Sequence, residues 1–419
     1  MNMKAYVEQL GERAVQAAAS LATLSSEIKN NALGILAGLL ESRGAEVLAA
    51  NKLDIASGRE AGLTAAMIDR LTVDQGRLEG LAQSVREVAA LPDPVGTISS
   101  MSRRPNGLLV GRMRIPLGVV AFIFESRPNV TIDGAILCLK SGNAVILRGG
   151  KEALNTNLAL AALIDEALST AGCPAYSVQV VNITDRAVVE HLLKLDRYLN
   201  LLIPRGGEGL IRYVAENARV PVLKHYKGVC HVYIDKDAHI GQGLEIALNS
   251  KVQRPGVCNA AETLLVHEAV AEQFLPRFIA RSKELDLELR GCDRTLKFAP
   301  DYVKAATDDD WDTEYLALIL AVKVVESYEA AVAHIRRHGS DHTEAIVTEN
   351  YTTGLRFINE VQSSLVLINA STRFNDGGQL GMGAEIGIST TKLHAFGPMG
   401  LEHLTIEKHI AFGNGQIRE

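Results

Sequence analysis

The sequence has no excess of positive charge. Its 43 lysines and arginines are outnumbered by 49 acidic residues, a formal charge of −6, so it lacks the basic footprint of a nucleic-acid binder. Cysteine is scarce. Cys138, Cys173, Cys230, Cys258 and Cys292 are scattered and form no CxxC pair, which excludes a zinc framework or a disulfide scaffold and fits a reducing cytoplasm. No apolar run approaches the roughly 18 residues of a membrane span. The first ten residues carry an early acid and no long apolar core, so no signal peptide is expected. There is no internal repeat, no low-complexity segment, no Gly-x-x-x-x-Gly-Lys-Ser/Thr loop of a P-loop kinase and no local Ser-His-Asp signature. Gly241-Gln242-Gly243 and Gly381-Met382-Gly383 are fragments of a dinucleotide fingerprint. Neither stands between a strand and a helix with an acid about twenty residues on. His334, His338 and His342 fall four apart, but Gly339-Ser340 should end any helix between them, and no metal is expected.

What is there is ample apolar material. A length of 419 residues predicts two or three domains at roughly 150 residues each, and 47% hydrophobic residues suffice for packed cores. Residues 4–91 read as helices. Ser25 or Ser26 caps one whose apolar face is Ile28, Ala32, Ile35, Leu36, Leu39 and Leu40. Pro92-Asp93-Pro94 breaks the pattern, and 97–116 reads as a hairpin around Pro105-Asn106-Gly107.

From Gly118 the pattern changes. Short apolar runs at 118–124, 144–147, 178–181 and 199–203 alternate with helical stretches, which predicts βαβ units and a parallel sheet. The strand ends feed polar loops: Glu125-Ser126-Arg127-Pro128-Asn129, Arg148-Gly149-Gly150-Lys151 and Arg205-Gly206-Gly207. Open α/β sheets bind ligands at such ends, and a glycine turn opening a helix suits a phosphate, although each is also an ordinary tight turn. A second α/β unit is expected over about 230–370, with strands at 232–234, 264–266, 316–325, 345–347 and 365–368. Residues 401–413 return to a strand pattern that can join the hairpin arm.

One stretch carries chemistry. In Lys251–His267, K-V-Q-R-P-G-V-C-N-A-A-E-T-L-L-V-H, Cys258 sits between the breaker pair Pro255-Gly256 and the apolar run Leu264-Leu265-Val266. A loop followed by a strand places the thiol at a loop tip beside a buried element. Gly256 lets backbone amides approach a ligand, and Arg254 supplies positive charge that favours a thiolate. Free cysteines more often pack as small hydrophobes, so nucleophile and structural cysteine both stand at this point.

The stretch V-Q-R-P-G-V-C-N-A-A-E-T-L-L-V-H resembles the active-site segment of the gamma-glutamyl phosphate reductase family, within the aldehyde dehydrogenase superfamily. So do R-I-P-L-G-V-V-A-F-I-F-E-S-R-P-N-V-T at 114–131, H-I-R-R-H-G-S-D-H-T-E-A-I at 334–346 and G-M-G-A-E-I-G-I-S-T-T-K-L-H-A-F-G-P-M-G-L at 381–401, so the likeness spans nearly the whole chain. It implies an aldehyde dehydrogenase-like α/β fold. Residues 1–228 would be a Rossmann-like NADP domain with its hairpin arm at 97–116, and 229–370 the catalytic domain. Residues 371–419 would return to the cofactor domain and a small β oligomerisation arm. It implies reduction of L-glutamyl 5-phosphate by NADPH in proline biosynthesis, in a cytoplasmic homo-oligomer supplied by a separate glutamate 5-kinase.

Residue by residue, the likeness implies that Cys258 is the nucleophile. Arg148 stands where the superfamily has an adenosine-ribose lysine, and Arg205-Gly206-Gly207 near its phosphate-proximal turn. Glu314 stands near its nicotinamide-ribose glutamate. Two departures matter. Glu125-Ser126-Arg127 replaces Pro-Trp-Asn, which leaves the oxyanion to backbone amides around Cys258 or to Asn129. The segment K-H-Y-K-G at 224–228 replaces E-L-G-G-K, putting cationic Lys224 in place of the carboxylate that activates water. Lys224, Arg127 and Arg254 are then candidates to hold the substrate's phosphate or α-carboxylate, against the alternative of surface ion pairs. Other acylating or hydrolytic aldehyde dehydrogenases, and a silent nucleotide-binding scaffold, are the competing readings.

Overall fold

The computed structural model describes residues 2–224 and 226–418. It divides into two compact units, Met1–Lys224 with Gly381–Gly387 and Met399–Glu419, and His225–Leu380 with Ile388–Pro398. No described helix is long and apolar enough to cross a membrane.

The first unit opens with the helices Met3–Leu21, Ser26–Ser42, Gly44–Glu60, Ala65–Leu71 and Gln75–Ala90. Ser25 caps the second, its Oγ accepting from the Ile28 amide, and Thr64 and Asp74 cap the fourth and fifth in the same way. Each satisfies an amide the first helical turn leaves unpaired. The buried stripe of Ser26–Ser42 is Lys29, Ala32, Leu33, Leu36, Ala37 and Leu40, one position round from the face expected from the sequence. The cause is Lys29, whose ammonium is drawn inward to Asp93 Oδ2 at 2.9 Å. A lysine read as a polar position thus turns the helix, because a buried charge needs a partner.

Four parallel strands follow in the spatial order Val178–Val180, Ala144–Gly149, Val119–Phe124, Leu201–Arg205. All six residues of Val119–Phe124 are buried, as expected of a strand covered by helices on both faces. The chain steps outward from Val119–Phe124 on one side and returns to Leu201–Arg205 on the other. Between these two strands lies the topological switch point, whose carboxyl ends form the ligand crevice of an open α/β sheet. Glu125–Asn129 and Arg205–Gly207 emerge there.

The hairpin pairs Ile98–Arg103 with Leu109–Pro116, and Thr405–Phe412 lies antiparallel along Leu109–Pro116 in unbroken register from Thr405↔Pro116 to Phe412↔Leu109. At the turn Gly107 has φ +86°, a conformation that favours glycine.

The second unit holds a seven-stranded parallel sheet in the order Lys304–Ala305, Glu288–Gly291, Ile319–Val325, Ala261–His267, Cys230–Ile234, Thr343–Val347, Leu365–Ile368. The first two are absent from the sequence reading because they are short and polar. The expected strand at 316–325 begins only at Ile319, since Leu316 adopts φ +52°. One face packs on Phe274, Leu275 and Phe278 of the helix Glu268–Glu284, the other on Tyr328, Val332 and Ile335 of Tyr328–His338. That helix ends at His338 with Gly339 as its C-cap, which separates His342 from His334 and His338.

Candidate active site

In the second unit Cys258 lies in a turn between the helix Ile240–Val252 and the strand Ala261–His267. It is half-buried and free. The turn sits at the amino end of the parallel sheet, not at the carboxyl end where open α/β sheets bind ligands. Other amino-end segments gather there: Gly228-Val229 before Cys230–Ile234, Glu314–Leu318 before Ile319–Val325, and Ser340–His342 before Thr343–Val347.

The turn is anchored from several sides. The Cys230 thiol donates to the Cys258 carbonyl at 3.2 Å. Buried Asn259 donates from Nδ2 to the Asn375 carbonyl at 2.9 Å, and Asn375 donates from its own Nδ2 to Thr343 Oγ1 at 2.6 Å. Lys251, ending the helix, donates to Glu262 on the strand. Glu262 Oε1 in turn accepts from the Leu316 amide at 3.3 Å, which ties the segment after Glu314 to the Cys258 turn. Burial pushes the Glu262 carboxyl up to about 7; Lys251 draws it down and Glu314 pushes it up. Burial pulls the Lys251 ammonium below its usual range, and Glu262 opposes this. Arg254 is exposed, four positions before the cysteine.

The first unit carries Arg127, Asn129, Arg148, Arg205, Gly206, Gly207 and Lys224. At its switch point Ser126 has φ +43°, and both its amide and its hydroxyl donate to Glu152 Oε1, at 2.7 and 2.8 Å. The Glu125 carboxylate accepts from the Gly207 amide at 3.1 Å. Gly207 caps the helix Glu208–Asn217, so a carboxylate stands where the sequence suggested a phosphate, drawn by the same amide and helix dipole. A Cβ on Gly206 would fall 2.6 Å from Glu125 Oε2, so a side chain there would push the Glu125 carboxylate from its place. Arg148 donates to the Thr184 carbonyl at 3.2 Å. The Nε atoms of Arg148 and Arg205 are buried with no hydrogen-bond partner among the described residues. These donors fit the phosphates of a dinucleotide, provided Glu125 gives way at Gly207.

Beside them, Asn129 Nδ2 donates to Asp133 at 2.9 Å. Burial raises the Asp133 carboxyl to about 6, against Asn129 and Arg205 and with Glu385. Arg205 also packs on Gly387, where a Cβ would fall 2.7 Å from its Nη1.

Cys258, Arg254 and Glu314 therefore belong to the second unit and the other predicted residues to the first, each assembled at its own sheet. Sequence reasoning missed Lys251, Glu262, Cys230, Gly228, Asp133 and Glu152. Glu262 had a signal: a carboxylate inside the apolar strand Ala261–His267 needs a partner, and Lys251 is the nearest lysine before it.

A parallel sheet with a cysteine turn at its amino end in one α/β unit, and an arginine-rich switch point in the other, are the parts expected of an aldehyde dehydrogenase. Residues 3–302 match the model of the aldehyde dehydrogenase family, and the chain belongs to that family, whose members use a nicotinamide cofactor. Within it the chain falls among the gamma-glutamyl phosphate reductases. It is 55% identical to the gamma-glutamyl phosphate reductase of Nitratidesulfovibrio vulgaris and 52% to that of Geotalea daltonii, over 419 residues and the full length of both partners in each case. The crystal structure of the Thermotoga maritima gamma-glutamyl phosphate reductase superposes with a TM-score of 0.94 at 43% identity, covering 99% of this chain and all of that one.

Proposed function

We propose that the protein reduces L-glutamyl 5-phosphate to L-glutamate 5-semialdehyde and phosphate, in proline biosynthesis. The observation that carries this is the full-length identity of 52–55% to relatives bearing that name. Cys258 is the nucleophile. Its thiolate attacks the acyl carbon, the carbon–oxygen bond to phosphate breaks, and phosphate leaves with the electron pair. A thioacyl enzyme results. NADPH supplies the hydride that this carbon accepts. The resulting thiohemiacetal oxyanion then collapses: the carbonyl reforms and the carbon–sulfur bond breaks to return the Cys258 thiolate.

Arg148, Arg205, Gly206 and Gly207 serve the cofactor's phosphates, and Glu314 serves the nicotinamide ribose. Arg127, Asn129, Lys224 and Arg254 take the substrate's anionic groups and carbonyl. Lys224 occupies the place where hydrolytic relatives carry a carboxylate, so the thioacyl enzyme is spared from water until hydride arrives. The β arm joins copies of the chain, and a glutamate 5-kinase supplies the labile acyl phosphate in the cytoplasm.

The test runs the reaction backwards. With glutamate semialdehyde and NADP, the enzyme should form at most one equivalent of NADPH per site and stop, because no positioned carboxylate activates water. Inorganic phosphate or arsenate should restore continuous turnover. Sustained turnover without either means a hydrolytic dehydrogenase, and turnover only with coenzyme A an acylating one.

A further inference from the structure

Cys230 has no part in the chemistry above, yet it lies directly behind the nucleophile. It is fully buried at the start of the strand Cys230–Ile234. The register of this strand against Ala261–His267 shifts between Cys230 and His231, an irregularity of the kind that re-aims a side chain. Its Sγ is 3.2 Å from the Cys258 carbonyl and 3.5 Å from His342 Nδ1. His342 Nδ1 also lies 2.7 Å from Thr343 Oγ1; of the two groups facing the thiol, the Cys258 carbonyl is the nearer and can only accept. Burial, then Glu344 and Cys258, hold the Cys230 thiol well above its ordinary range. It therefore stays protonated and keeps its donor.

Gly228 completes the support. A Cβ on it would lie 2.0 Å from the Cys258 carbonyl oxygen and 3.1 Å from the Cys258 Cα. The backbone of 228–230 thus runs immediately beneath the turn and leaves no room for a side chain. Since a trans peptide is planar, with its carbonyl and amide pointing oppositely, holding the Cys258 carbonyl toward Cys230 turns the Asn259 amide away from it. The orientation of the peptide that carries the nucleophile is set from below.

We propose that Cys230 is a positioning residue for acyl transfer at Cys258: its buried thiol, donating to the Cys258 carbonyl over the Gly228 backbone, fixes the peptide that bears the nucleophile. This rests on the reading of Cys258 as nucleophile. Cys230→Ala and Cys230→Val remove the donor, and Cys230→Ser keeps one of similar size. Each is compared with the parent enzyme by steady-state kinetics and by the pH profile of Cys258 alkylation with iodoacetamide, mapped by mass spectrometry. The donor-free variants should lose roughly 3- to 10-fold in kcat with KM little changed, as expected of one modest hydrogen bond felt in the transition state. They should also alkylate more slowly at Cys258, and Cys230→Ser should recover most of both losses. Gly228→Ala should lose more than either.

Parent-like kcat and alkylation in Cys230→Ala overturns the proposal. So does a serine variant no better than the alanine one, since that assigns Cys230 to packing alone. If Cys230→Ala does not fold, the comparison of Cys230→Ser with Cys230→Val decides between the same outcomes. A Cys258→Ser variant that keeps its activity removes the underlying reading instead, which separates the two failures.

Discussion

Lys251 Nζ and Glu262 Oε2 meet at 2.5 Å with both side chains wholly buried. One residue closes the helix entering the Cys258 turn and the other sits on the strand leaving it. The pair therefore staples the two ends of the turn. Removing one partner strands a charge in the core. Lys251→Met should cost about 3–5 kcal/mol, and Lys251→Met with Glu262→Leu should regain at least half of that. Urea unfolding of the single and double variants measures it, and a double variant no more stable than the single one contradicts the pairing.

His334 predicts acid sensitivity. Burial, then His231, Lys323 and His338, pull its pKa down to about 2. Lys323 Nζ lies 3.1 Å from its Nδ1, and its Nε2 is buried without a partner among the described residues. In the unfolded chain the ring titrates near 6.5, so below that pH the unfolded state binds the extra proton and stability falls as pH drops. At about 1.4 kcal/mol per pH unit the loss between pH 6.5 and 5 is about 2 kcal/mol. His334→Gln should narrow the difference in unfolding free energy between pH 7.5 and 5 by about that amount. An unchanged difference assigns the acid response elsewhere.

Cys258→Ser should keep cofactor binding and lose turnover by several orders of magnitude, because a serine hydroxyl is rarely ionised near neutral pH. Paired binding and activity assays check it. Retained activity contradicts the covalent route.

Arg148→Ala should weaken NADPH binding, measured by direct titration, and the parent enzyme should prefer NADPH to NADH. Glu125→Gln should bind NADPH more tightly, by roughly 2- to 10-fold, since the parent carboxylate competes for the Gly207 amide and repels a phosphate. Unchanged affinity in both variants places the phosphates away from this switch point.

The two parallel sheets were legible because most of their strands are apolar runs closed by Gly, Pro or a polar loop, as at 118–124 and 144–147. Cys258 stood out through its breaker-rich approach. The short strands Glu288–Gly291 and Lys304–Ala305 did not, since charged residues such as Arg290 and Lys304 hide a period of two. The supports of the site were hidden for a different reason. Cys230, Gly228 and Asn375 meet the Cys258 turn only through folding, across as many as 116 positions in the case of Asn259 and Asn375. At Gly207 the sequence showed a helix terminus suited to an anion, but not that the Glu125 carboxylate would be the group found there.

The antiparallel pairing of Leu109–Pro116 with Thr405–Phe412 sets an order of events during synthesis. Its register joins Leu109 to Phe412, so the middle strand of that sheet waits for Thr405–Phe412, made about 300 positions later, to leave the ribosome. The seven-stranded sheet is complete in sequence once Ile368 has emerged. It can form while the hairpin strand still has a bare edge, and such long-range closure is slow and exposed to mispairing. A nascent chain halted before Thr405 would carry all seven strands of the parallel sheet and an open hairpin, so the three-stranded arm is the later of the two to close.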